Sequence, residues 1–385
     1  MSVGRSTNRW MQYGSAVVAT GTLLAVAACG SSSKGGNTNT TPSSSAPSSA
    51  TSSGGTAQGG ITCNGSGTLT ASGSTAQANA ISAWAKAYQA ACKGAVVNYG
   101  GGGSGKGVTD FTAGTTDFSG SDFPLTTDQK SSADKVCSGG EAVDLPMAPG
   151  GIAIAYNLPG VSSLNLSAST IAKIFSGKIT KWNDPAIAAD NSGTTLPSTA
   201  IQTFHRSDSS GTTYNFTNYL TNVAKSDWTY SFGKTWTAPG GQGAKGSSSV
   251  AQGVKSTAGG IGYFETSFAT QDNLGVAKVG DAGGKFVEDT GANVTAFLAK
   301  ATIAGTGNDL ALKFDYTTSD GSAYPITLVT YEITCTKGGK KAGLVKSFLG
   351  YTSSTDGQAV LPTAGYVQLP SSIQSKVAGV VAGIS

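Results

Sequence analysis

An α/β protein of two lobes is the fold class this sequence predicts, on three observations. The body from Ile61 to Ser385 is too long for one small core. Its opening repeats the order strand, small-residue turn, helix, which is the grammar of a sheet with covering helices. Two later segments, Gly151 to Asn157 and Tyr324 to Tyr331, read as strands crossing between lobes, and two crossings make a hinge. The boundaries follow: 61–146 with 323–385 for the first lobe, 147–322 for the second.

Taken in order, the chain begins as an export signal. Arg5 and Arg9 give a basic start, Ala16 to Ala28 is apolar and small, and Val26-Ala27-Ala28-Cys29 closes it. Residues 1–28 therefore read as a lipoprotein signal peptide and Cys29 as the lipidated first residue of the mature chain. The apolar run is shorter than the roughly 20 residues a membrane span needs, and Gly and Thr interrupt it. From Gly30 to Gly60 the sequence is almost wholly Ser, Thr, Gly, Ala, Asn and Pro, with Lys34 as its only charge. Residues 29–60 read as a disordered tether with an r.m.s. span of roughly 30 Å.

Charged residues make up 12% of the chain, the formal net charge is +4, and glycine numbers 55. No basic stripe with interleaved aromatics occurs, which sets nucleic acid aside. Of five cysteines, four remain once Cys29 is lipidated: Cys63, Cys92, Cys137 and Cys335. An even count outside the cytoplasm suggests two disulfides. No two cysteines lie close in sequence and His205 is the single histidine, so zinc is discounted. A strand leaving Cys63 runs roughly 25 Å, and the helix ending near Cys92 returns about as far. These two should meet, and Cys137 then pairs with Cys335 by elimination.

The first lobe opens with a strand over Gly67 to Ala71, a tight connection at Gly73-Ser74-Thr75, and a helix over Ala76 to Ala91 with Ile81, Trp84, Ala87 and Tyr88 inward. A second strand, Ala95 to Tyr99, runs into a glycine-rich loop from Gly100 to Val108 ahead of another helix. That loop matches part of a nucleotide-binding pattern, but Gly107 stands where a magnesium-binding hydroxyl belongs. Ser104 is a helix-start donor. Asp122 follows a short strand pattern and precedes Pro124, which places it at a carboxyl end, where ligands of open α/β sheets collect.

The stretch Thr203 to Thr213 gathers Arg206, Asp208, Ser210 and Thr212 about Gly211, just before a helical pattern carried by Tyr214, Phe216, Tyr219 and Leu220. Ser210 to Thr213 then form a first turn whose amides point outward unpaired. Amides, hydroxyls and a guanidinium converging on one point suit a tetrahedral oxyanion. Asp208 would then orient the guanidinium; by itself the stretch reads equally as a capped helix start with a surface salt bridge. Farther along, Ser169 to Phe175 reads as a short helix, Trp182-Asn183-Asp184-Pro185 as a packed turn, and Gly343 to Gly350 and Ile373 to Val381 as amphipathic helices; Gly280 to Asn308 gives only a weak helical pattern.

Together these motifs resemble the phosphate-binding proteins of bacterial high-affinity phosphate ABC importers. The resemblance is carried by Ser72-Gly73-Ser74-Thr75, Val97-Asn98-Tyr99 with Gly103-Ser104-Gly105, Asp117-Phe118 with Ser121-Asp122, Ile174 to Ile179 with Trp182 to Pro185, Arg206 to Thr212, and Gly260-Ile261-Gly262-Tyr263. It implies the type II periplasmic-binding-protein fold, and a ligand set of Thr75, the Ala76 backbone, Ser104 and Asp122 from one lobe with Arg206, Asp208, Ser210, Gly211 and Thr212 from the other. It also implies permease subunits in the membrane as partners of a monomeric body, and no cofactor. Two departures stand out: Ala76-Gln77 replaces an aromatic and a proline, and Ser209 replaces a glycine. A hydrolase built on His205, Asp208 and Ser210 is disfavoured because one loop holds all three and no G-x-S-x-G elbow occurs. Sulfate or molybdate is the nearest rival ligand.

Overall fold

The computed structural model describes residues 56–57 and 60–385; the expected signal peptide and Cys29 lie outside them. Thr56–Ala57 already pairs antiparallel with Ile61–Thr62, inside the stretch expected to be tether. Among the described residues no helix is long and apolar enough to cross a membrane.

The first α/β unit comprises β1 (Gly67–Gly73), α1 (Ala78–Ala91), β2 (Ala95–Gly102), α2 (Ser104–Thr112) and β3 (Phe118–Ser121). β1 lies between β2 and β3, parallel to both. Helix α1 buries Ala80, Ile81, Trp84 and Tyr88, and Ala87, also expected inward, packs half-buried against the same core. Trp84 also donates to the Gly357 carbonyl at 2.7 Å, which satisfies its indole N–H in the core.

The glycine-rich run differs from expectation. Gly100 and Gly102 pair with Ser72 and Gly73, so they extend β2, and α2 begins at Ser104. Only Gly103 is left as connector, at φ +92°, a region that favours glycine.

The sixteen-residue strand β4 (Ala142–Asn157) joins two halves of one mixed sheet, and only its last residue is not buried. Residues 142–151 pair with β8 (Thr327–Cys335), while 152–157 pair with β7 (Gly260–Glu265). β7 is parallel to β5 (Gln202–Arg206), and β5 to β6 (Gln242–Ala244). The path β2-β1-β3-β8-β4-β7-β5-β6 therefore carries a parallel α/β unit at each end, with antiparallel strands between. Helices α3 (Gly211–Val223) and α4 (Ser247–Ser256) follow β5 and β6.

Cys63 is bonded to Cys92 and Cys137 to Cys335, the second bridge closing 198 residues of sequence. The stretch with the weak helical pattern contains a helix, Gly291–Leu298, whose Thr290 hydroxyl caps the Asn293 amide at 3.2 Å. Its buried residues are Val294, Phe297 and Leu298, too short a stripe to give a clear period.

Candidate anion-binding site

Six polar residues follow the carboxyl ends of six strands: Thr75 after β1, Ser104 after β2, Asp122 after β3, Arg206 closing β5, Ser247 after β6 and Glu265 closing β7. Parallel strands direct their following loops to one crevice, and here both halves of the sheet contribute to it.

Arg206 is 1% exposed, an extreme for a guanidinium. Asp208 takes it in a fork, Nε to Oδ1 at 2.7 Å and Nη2 to Oδ2 at 2.5 Å. The remaining nitrogen, Nη1, donates to Thr212 Oγ1 at 3.2 Å and Ser247 Oγ at 3.1 Å. Burial alone would lower the arginine pKa, but the Asp208 hydrogen bond and charge outweigh it and raise it. Asp208 shows the mirror effect: burial raises its pKa, and Arg206 brings it below the ordinary carboxylate range. The Gly246 amide adds a third donor to Asp208 at 3.1 Å. A bidentate pair of this kind fixes the plane of the guanidinium and hence the direction of Nη1.

Ser210 caps α3 as its sequence suggests, accepting the Thr213 amide at 3.2 Å. The Gly211 amide, left over by the helix, donates to Ser104 Oγ at 3.1 Å. Ser104 in turn donates to Asp122 Oδ2 at 3.0 Å, so one hydroxyl links the helix start to the carboxylate opposite. Close approach is required there: a Cβ on Gly103 would collide with the Asp208 carboxylate and the Ser209 carbonyl.

Asp122 is 3% exposed, and Thr330 Oγ1 from β8 holds its Oδ1 at 2.7 Å. Its pKa is pushed up to about 6, chiefly by burial and further by the charge of Glu265, against hydrogen bonds from Ser74, Thr330 and Ser104. Thr75 Oγ1 lies 3.1 Å from Ser247 Oγ and accepts the Ser247 amide at 3.1 Å. The Ala76 amide, expected to face the ligand, donates to Ser74 Oγ at 3.0 Å. Ser209, the second departure, has no left-handed backbone, so the side chain costs the turn nothing; its carbonyl accepts the Gly105 amide at 3.0 Å.

The structure thus brings together Thr75, Ser104, Asp122, Arg206, Asp208, Ser210, Gly211 and Thr212. It adds two residues that sequence reasoning missed. Ser247 joins Thr75 to Arg206, and Glu265 accepts from Thr212 Oγ1 at 2.7 Å. Two other readings find no support in the geometry. Lys106 pairs outward with Asp110 at 2.5 Å, away from the crevice. His205 lies flat against Trp236 with Nδ1 3.1 Å from the Arg206 carbonyl, so it is a packed residue rather than a base for Ser210.

A crevice lined by buried donors between two α/β units suits one class, the substrate-binding proteins. A model of the PBP superfamily domain matches residues 42–356. The chain is 42% identical over 375 residues to the phosphate-binding protein PstS 3 of Mycobacterium leprae, covering 95% of this chain and 97% of that one. It is 41% identical over 386 residues to the phosphate-binding protein PstS 2 of Mycobacterium tuberculosis, covering 98% and 100%. The chain belongs to the PstS family of phosphate-binding proteins. Among solved structures it resembles a high affinity periplasmic phosphate-binding protein, PfluDING, bound with phosphate, at TM-score 0.66 and 21% identity over 81% of this chain and 93% of that one. A phosphate ABC transporter substrate-binding protein from Clostridium perfringens gives TM-score 0.58 and 19% identity over 79% and 100%. At these identities the structural likeness establishes the fold, the two-lobed type II arrangement.

Proposed function

We propose that this protein captures inorganic phosphate outside the cytoplasm and delivers it to the permease of an ABC importer, without chemistry on the ligand. The observation that carries this reading is the buried Arg206, oriented by Asp208 and aimed at the first turn of α3, with the Asp122 carboxylate across the crevice. Donors converge from Thr75, Ser104, Arg206, Ser210, Gly211, Thr212 and Ser247. The Ala76 amide joins them if it turns from Ser74. Each charge-assisted hydrogen bond contributes roughly 1.5–3 kcal/mol net, so several offset phosphate desolvation and leave micromolar or tighter binding.

Lobe one, 61–146 with 323–385, supplies Thr75, Ser104 and Asp122; lobe two, 147–322, supplies Arg206 to Thr212. Rotation about the two crossings closes the lobes on phosphate, and the permease reopens them. We assign residues 1–28 as signal peptide, Cys29 as the lipid anchor, and the chain up to the body as tether. The body acts as a monomer.

Replacing Arg206 by Ala removes the fixed positive charge. Titration calorimetry with phosphate should then lose about 2–5 kcal/mol of binding. Near-wild-type affinity would place the site elsewhere.

A further inference from the structure

Behind Asp122 lies a carboxyl that phosphate capture as described leaves unused. Glu332, on β8, is 1% exposed, and neither of its oxygens has a hydrogen-bond partner. It sits opposite Gly120 in the antiparallel register with β3. Residues directly opposite in such a pair project to the same face. A side chain on Gly120 would collide with Gln77 Nε2 and the Tyr99 hydroxyl. Those two groups therefore occupy the face onto which Glu332 projects. Gln77, itself fully buried, has an Oε1 without a donor.

From Gln77 the polar chain runs toward the crevice. Gln77 Nε2 donates to Tyr99 Oη at 3.1 Å, Tyr99 Oη donates to the Ser74 carbonyl at 2.8 Å, and Ser74 Oγ accepts the Ala76 amide at 3.0 Å. Ser74 is also near enough to Asp122 to act on it, opposing the rise of its pKa. An ionised Glu332 would be a buried charge with neither oxygen hydrogen-bonded, a costly arrangement in a dry interior. One proton resolves it, because a neutral carboxyl donates to Gln77 Oε1. The groups surrounding Glu332 favour that form. Burial pushes its pKa up to about 8, the Asp122 charge adds to the shift, Gln77 opposes it, and no cation enters. Tyr99 is raised by burial and by Glu332, so its hydroxyl keeps its proton, and Tyr366 adjoins Tyr99 as a further raised phenol.

We propose that Glu332 is a positioning residue held as the neutral acid, donating to Gln77 and so fixing the Gln77–Tyr99–Ser74 chain beneath the loop that presents Thr75 and Ala76. Its ionisation adds a second negative charge behind Asp122 and weakens phosphate capture. The proposal rests on the phosphate reading of the site.

The test compares phosphate affinity of the full-length wild type and Glu332→Gln by calorimetry at about pH 6.5 and about pH 9.5. The Gln amide can donate where the neutral acid does and never ionises. At the lower pH the two affinities should agree within about threefold; at the higher pH the variant should bind about tenfold tighter than wild type. Taking the ratio cancels the ionisation of phosphate itself. A ratio that does not move with pH overturns the proposal, as does a tenfold weaker variant at the lower pH. Absence of phosphate binding by the wild type would instead overturn the phosphate reading, and this proposal with it. Should the variant not fold, infrared spectroscopy of wild type labelled with 13C-glutamate decides the matter: a protonated glutamate carbonyl band is expected at neutral pH, and its absence refutes the assignment.

Discussion

Substituting Asn for Asp122 separates phosphate from sulfate. At neutral pH phosphate keeps at least one proton and sulfate none, so the carboxylate accepts a hydrogen bond from the first and meets only oxygen lone pairs on the second. Asp122 is 3% exposed and both of its oxygens already accept hydroxyls, from Thr330 and Ser104. Its burial leaves the remaining acceptor capacity dependent on what the closed crevice holds. Leaving such an acceptor unpaired costs about 1–3 kcal/mol, and facing another anion adds to that. In the Asn variant the amide oxygen still accepts from phosphate, while the charge that repels sulfate is gone. Phosphate affinity should fall moderately, and sulfate competition should rise at least about tenfold, equivalent to roughly 1.4 kcal/mol. The pH dependence has a definite sign. With the Asp122 pKa raised to about 6, its charge is present above that pH, so wild-type discrimination should be strong at about pH 8 and fade toward pH 5. Competition calorimetry on both proteins reads these ratios. An unchanged sulfate-to-phosphate ratio in the variant would remove Asp122 from the site.

Ser247→Ala deletes the hydroxyl shared by Arg206 and Thr75, and phosphate affinity by calorimetry should drop about three- to thirtyfold; unaltered binding would make Ser247 purely structural. Asp144 is fully buried with one unpartnered oxygen, and burial, aided by Asp309, pushes its pKa up to about 8. A raised carboxyl pKa contributes stability that is full below the unfolded value and lost as pH rises to the folded one, by up to about 1.4 kcal/mol per pH unit. Asp144→Asn should therefore flatten the fall in melting temperature between about pH 5 and pH 8; an identical slope would contradict the assignment. Cys29→Ala should leave the protein unprocessed or shed from the membrane fraction, and a variant that stays processed and membrane-bound would exclude lipidation at Cys29.

What could be read from the sequence was local. Arg206 to Thr212 lies in one stretch whose capping serine and free amides follow from the helix start alone. Cysteine number and spacing suggested pairings that the structure also forms, because a strand and helix of matched length return the chain to its starting end. What escaped depends on distant pairing. Ser247 sits in a run of small residues, Gly-Ser-Ser-Ser, with no pattern to distinguish one serine. Only the placement of β6 beside β5 brings it to Arg206. Glu332 stands in a strand otherwise rich in apolar and β-branched residues, and its neighbours come from elsewhere in the chain, Tyr99 from the edge strand β2 and Gln77 from the start of α1. The glycines after Tyr99 read as loop because glycine weakens strands; here they continue β2 because Ser72 and Gly73 offer them a paired edge.

The account stands or falls on what the crevice binds. Titration calorimetry of the body from Thr56 onward, run at neutral pH against inorganic phosphate and against sulfate, measures this directly. Micromolar or tighter phosphate binding at one site per chain, with sulfate weaker by at least about a hundredfold, is the predicted result. Equal affinity for the two anions, or no heat with phosphate, would contradict it.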